Sequence, residues 1–116
     1  HYVTVTYSNT ADEIKHYRNG VYLGTNNSAS GTFANIANTG DDLWIGKGNT
    51  GSDHFSDIYM CNAAIWSSVL TQAQIKSIMW KNYAGLTDSE KTNLVSWWNL
   101  SADANDSHGS NNGTLS

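Results

Sequence analysis

Tyr2-Val3-Thr4-Val5-Thr6-Tyr7 alternates strictly, and every residue in it is β-branched or aromatic. Residues two apart on a strand share a face, so this run predicts a half-buried strand. A second alternation runs Ile14-Lys15-His16-Tyr17-Arg18, and a third opens with Val21-Tyr22-Leu23. Between them stands Asn19-Gly20. Both central positions of a tight two-residue hairpin need positive φ, which Asn tolerates and Gly accepts freely. The pair therefore predicts a hairpin and its register: Arg18 opposite Val21, Tyr17 opposite Tyr22, His16 opposite Leu23.

The polar stretches 8–13 and 25–30 read as a turn and a loop. Residues 31–36 form a weaker strand candidate, and Leu43-Trp44-Ile45-Gly46 a short one. The Gly-, Asn- and Ser-rich residues 47–53 predict an exposed loop. Residues 55–66 make the longest apolar strand, with Cys61 inside it as a small core residue. The period then changes. Thr71-Gln72-Ala73-Gln74 is a capping box, and Ile75, Ile78 and Met79 follow on one face, which predicts an amphipathic helix of about three turns. Thr87-Asp88-Ser89-Glu90 is a second box, opening a helical turn near 89–93. Leu94-Val95-Ser96-Trp97-Trp98-Asn99-Leu100 returns to strand, and 101–116 is a polar, turn-rich tail.

At 116 residues the length suits one domain with a modest core. The net charge is −4, and the six Lys and Arg are scattered, which speaks against a nucleic-acid partner. No apolar run approaches a membrane span, so no membrane partner is expected. Proline is absent while Asn and Gly abound, a composition for strands joined by tight turns. The first strand starts at once after His1, which suggests a processed or partial chain.

Four segments in order resemble the laminin-G-like, concanavalin A-like domain of bacterial and phage proteins. They are His1-Tyr2-Val3-Thr4-Val5-Thr6-Tyr7, Tyr17-Arg18-Asn19-Gly20-Val21-Tyr22-Leu23-Gly24, Leu43-Trp44-Ile45-Gly46, and Ile65-Trp66 with the helix opening Leu70-Thr71. The tail resembles the beginning of the same domain, through Leu94-Val95-Ser96-Trp97-Trp98 and Asp106-Ser107-His108-Gly109-Ser110-Asn111-Asn112-Gly113-Thr114. The resemblance implies an all-β fold: an antiparallel two-sheet jelly-roll sandwich with one or two short helices. It divides the chain into a back half (1–82), a connection with a short helix (83–93), and a front-end segment (94–116). That segment either opens a next tandem domain or completes the sandwich of the first part.

The resemblance also implies a glycan site shaped by calcium held in loops. Calcium wants six to eight oxygen ligands. Asp106, Asn111 and Asn112 are the candidate ligands, with Asp103 beside them, yet the same residues suit side-chain-to-backbone turns. Where the family often carries Asp-Glu before Ile-Trp, this chain has Cys61-Asn62, which weakens any ligand there. Sugar contacts are expected from Trp44, Trp98, Asp53 and His54. Trp66 and Trp80 are expected in the core. Trp97 and Trp98 are adjacent in a strand and must point to opposite faces, leaving one of them for a ligand. No strand carries two acids two or four residues apart facing one cleft, as polysaccharide hydrolysis would need. The expectation is a non-enzymatic binding or structural module of an extracellular or virion protein, such as a phage decoration or fibre protein. Its partners are a glycan or neighbouring protein chains. The alternatives are a purely architectural module and an accessory fragment of a polysaccharide-degrading enzyme.

Overall fold

The computed structural model describes residues 1–27, 40, 42–46 and 58–115. Three strands, β1 (Val3–Ser8), β2 (Glu13–Arg18) and β3 (Val21–Asn27), form an antiparallel sheet in the order β1-β2-β3. The hairpin forms where Asn19-Gly20 places it, with φ of 51° and 73° at the two turn residues. Arg18 pairs with Val21 and Tyr17 with Tyr22, as the turn dictates. The next pair is His16 with Gly24, so Leu23 is an extra residue in a β-bulge rather than the partner of His16. A bulge adds one residue to one strand and twists it, which turn chemistry alone does not reveal.

Asn19 does more than turn the chain. Its backbone N–H donates to the Tyr2 carbonyl (2.7 Å) and its Oδ1 accepts from the Tyr2 N–H (2.9 Å), so the turn grips the start of β1. The buried Gly20 rests on helix α1 (Gln72–Ile78), whose Gln72 Nε2 donates to the Gly20 carbonyl at 2.9 Å. A Cβ at Gly20 would stand 2.7 Å from Lys76 Cγ and 3.2 Å from Met79 Sδ. Glycine here serves both the positive φ and the close approach.

Helix α1 is about two turns rather than three. Its capping box is present in full: Thr71 Oγ1 accepts from the Gln74 N–H and Gln74 Oε1 accepts from the Thr71 N–H. Ile75 and Ile78 are buried. The helix ends at Ile78, so Trp80 falls beyond it and is 82% exposed, against its expected core position. A 3₁₀ turn (Tyr83–Gly85) leads to α2 (Asp88–Lys91), capped by Thr87 and Glu90 as the sequence predicts. Glu90 also ties the two helices together. Lys81 Nζ donates to its two oxygens at 2.6 and 2.8 Å, and Ser77 Oγ donates to Oε1 at 2.6 Å. The Lys81 ammonium, then Ser77, then the Thr87 backbone lower the Glu90 pKa to about 2.

β4 (Ala63–Trp66) and β5 (Leu94–Trp98) form a second antiparallel pair. Its inner face packs on the helices: Leu94, Trp97, Ile78 and Leu86 make the core, with Ala64, Trp66, Leu70 and Tyr83 against them. Trp66 meets Trp97 edge-on at 6.0 Å and sends its indole N–H to the Glu90 carbonyl. The long strand expected over 55–66 is described as strand only from Ala63. Residues 58–62 are irregular, and Cys61 is exposed rather than buried. Leu43-Trp44-Ile45-Gly46 is likewise not a strand. The candidate strand at 31–36 lies outside the described residues.

Candidate functional site

Trp97 and Trp98 point to opposite faces of β5, as adjacent strand residues must. Both are nevertheless buried, at 0% and 7% exposure. The expectation of one free ring fails because the tail covers the second face. Trp98 forms a bridge with Asp106 and sends its indole N–H to the Asn111 carbonyl at 2.7 Å. Asn111 Nδ2 donates to Ser96 Oγ, the other buried side chain on that face, at 2.7 Å. The tail also protects the open edge of β5. Ser107 N–H donates to the Trp97 carbonyl, and the Trp97 N–H donates to Asp106 Oδ1. An unpaired edge is otherwise a site for unwanted strand pairing.

Asp106 is the centre of this arrangement. Its Oδ1 accepts from the N–H groups of Trp97, His108 and Gly109, each at 3.0 Å, and its Oδ2 accepts from the Asn111 N–H at 3.1 Å. Burial pushes its carboxyl pKa up. The Gly109, Trp97 and His108 amides, with the Ser96 hydroxyl, outweigh burial and hold it well below the usual carboxylate range. Asn112 Oδ1 accepts from the Asp106 N–H at 2.9 Å. Gly109 allows the wrap, since a Cβ there would stand 2.9 Å from both Asp106 Oδ2 and the Val95 carbonyl.

The three candidate calcium ligands are therefore brought together, but as hydrogen-bonding partners. Three N–H groups crowd Asp106 Oδ1, which offers about two lone-pair sites, and a fourth takes one of those on Oδ2. Asn112 spends its oxygen on a backbone N–H. This donor set does not fit a calcium ion. Among the described residues no group of three or more His, Cys, Asp or Glu is placed to hold a metal.

Of the expected sugar contacts, Asp53 and His54 lie outside the described residues, and Trp44 is 43% exposed. Two features escaped the sequence reading. One is the sheet face bearing Val3 and Val5 of β1 with Val21 and Leu23 of β3, all more than half exposed. Register places them together, because Val3 and Val21 both oppose Arg18, while Val5 opposes His16 beside the bulge. The opposite face carries the buried Thr6 and Tyr17. The alternation of β1 signalled two distinct faces, but not which one the rest of the chain covers. The other feature is a cleft of ≈ 270 Å³ beside the exposed Trp80, lined by Tyr2, Asn19, Asn62 and Met79 among others.

Antiparallel sheets with few, short helices make the described residues a β-rich unit, consistent with a concanavalin A-like fold. Residues 1–76 match the family model of the concanavalin A-like lectin/glucanases superfamily. The chain belongs to that superfamily. No curated protein and no solved structure gives a significant match.

Proposed function

We propose that the chain is a non-enzymatic binding and structural module of an extracellular or virion protein, of the kind that decorates a phage particle or builds its fibres. Its two sheets are read as parts of a two-sheet jelly roll. The superfamily's description spans binding and hydrolysis, so the choice rests on this chain's own surface.

The observation that carries the reading is the exposed sheet face on which Val3, Val5, Val21 and Leu23 flank Arg18 and His16 of the central strand. Val3 is 71% exposed, Val5 58%, and Val21 and Leu23 57% each. Covering the exposed half of such a side chain is worth about 1 kcal/mol. A cluster of this kind on one regular face fits contact with a neighbouring protein chain better than it fits open water. The acids support the same reading. Glu90 and Asp106 are both held ionised by structural hydrogen bonds, so neither is poised to give a proton to a glycosidic oxygen at neutral pH. Glycan recognition is the second reading, favoured by the exposed rings of Trp44 and Trp80. The Asp106 and Asn112 oxygens already accept from backbone N–H groups, which speaks against calcium there.

Sedimentation velocity over a concentration series tests the first reading. The chain should self-associate through this face, and Val5→Lys with Val21→Lys should return it to a monomer without loss of secondary structure. A wild-type chain that stays monomeric throughout, with a variant that behaves identically, would count against it.

A further inference from the structure

We infer that the cleft beside Trp80 is a carbohydrate site that stacks one neutral pyranose ring on the Trp80 indole. The inference deepens the glycan reading and does not depend on the exposed sheet face. Trp80 stands just past the end of α1, 82% exposed, where a large aromatic ring has no packing role. An exposed indole offers a flat apolar surface to the C–H face of a sugar.

The cleft's other walls have the polar chemistry of hydroxyl recognition. Asn19 and Asn62 bring side-chain amides, which can donate and accept at once. Asn19 is fixed by its two hydrogen bonds to Tyr2, through its backbone N–H and its Oδ1, neither of which uses its Nδ2 donor. Asn62 is fixed by its backbone N–H, which donates to the Asn99 carbonyl at 3.0 Å, and by a φ of 55°. Of the basic wall residues, Lys81 has its ammonium engaged by Glu90 at 2.6 Å, and the other is the His1 imidazole. With the Lys81 charge already paired and the remaining walls made mainly by amides and the indole, the chemistry is that of a neutral sugar.

Size agrees. At ≈ 270 Å³ the cleft is just below the ~300–1,000 Å³ of drug-sized sites, which suits one ring. A second hollow of ≈ 360 Å³ shares Cys61 and Asn62 with it and carries Asn82, Asn99 and Ser101. Two adjoining hollows with amide and hydroxyl walls fit a linked pair of sugars, with the Asn62 side chain between them.

The test uses an array of neutral and acidic oligosaccharides, followed by titration of the best binder against wild type, Trp80→Ala and Asn62→Ala. The expected result is a neutral glycan whose affinity falls about tenfold or more with Trp80→Ala. The same glycan should slow maleimide labelling of the exposed Cys61, the single cysteine of the chain. Trp80 is so exposed that its truncation will not unfold the protein, which thermal melts would confirm. Glycan binding that survives Trp80→Ala, with Cys61 labelling unchanged, keeps the glycan reading and overturns this site. Absence of binding to any glycan overturns both. Selection of a peptide ligand that depends on Trp80, with no glycan bound, assigns the cleft to a protein and also overturns the inference.

Discussion

Replacing Asp106 by Ala removes the acceptor of four backbone N–H groups at once. The Trp97 N–H is part-buried, and leaving such a donor unsatisfied costs about 1–3 kcal/mol. The His108, Gly109 and Asn111 donors are exposed, so water replaces the carboxylate there and each loss costs about 0.5–1 kcal/mol. The sum is about 2.5–6 kcal/mol, a large part of the ~5–15 kcal/mol that holds a typical domain folded. Asp106→Asn keeps an acceptor at Oδ1 but turns a donor toward the Asn111 N–H, and should cost about 2 kcal/mol. The pH dependence follows from the lowered pKa. Stability from this carboxylate is present above the ordinary carboxylate value of about 4 and drains away as pH falls below it toward the folded value. Asp106→Asn should flatten that acid limb. Urea unfolding at neutral pH and at a series of acid pH values, followed by tryptophan fluorescence, reads both effects, because Trp98 is packed under the same loop. The reasoning is refuted if Asp106→Ala costs less than about 1 kcal/mol. It is equally refuted if added calcium stabilises wild type and Asp106→Ala abolishes that gain.

Gly20→Ala should destabilise by about 2–3 kcal/mol, from the positive φ and the crowding against Lys76 and Met79. Gly24→Ala, where a Cβ meets nothing within 4 Å, should leave the urea midpoint within about 0.5 kcal/mol of wild type. Glu90→Gln should cost about 2 kcal/mol at neutral pH, since the largely shielded Lys81 ion pair ties α2 to the segment that follows α1. Its carboxylate has a depressed pKa, so its contribution is complete above the ordinary value of 4.5 and fades as pH falls through about 2; melts across that range should lose this dependence in the variant.

The local devices were legible in the sequence. Asn19-Gly20, Thr71 to Gln74 and Thr87 to Glu90 act through bonds within a few residues, and each does in the structure what its spacing predicts. The bulge at Leu23 was not legible, since it depends on how β3 lies along β2. Nor was the fate of Trp80 and Cys61. An apolar residue near an element's end reads as core, yet α1 stops at Ile78 and β4 starts only at Ala63. The tail motif brought Asp106, Asn111 and Asn112 together correctly, but residue type alone could not separate a metal shell from a shell of backbone amides. The adjacent Trp97-Trp98 pair held the missing clue: a strand apolar on both faces is covered on both. The cover is the tail itself, through Asn111 and Asp106.

The proposed role turns on whether a neighbour covers Val3, Val5, Val21 and Leu23. Hydroxyl-radical footprinting of the isolated chain and of its assembled parent protein measures that cover residue by residue. The four side chains should oxidise readily in the isolated chain and be protected in the assembly, while Val69, exposed in the connection between β4 and α1, stays reactive in both. Equal oxidation of the four in both samples would contradict the role proposed for this face.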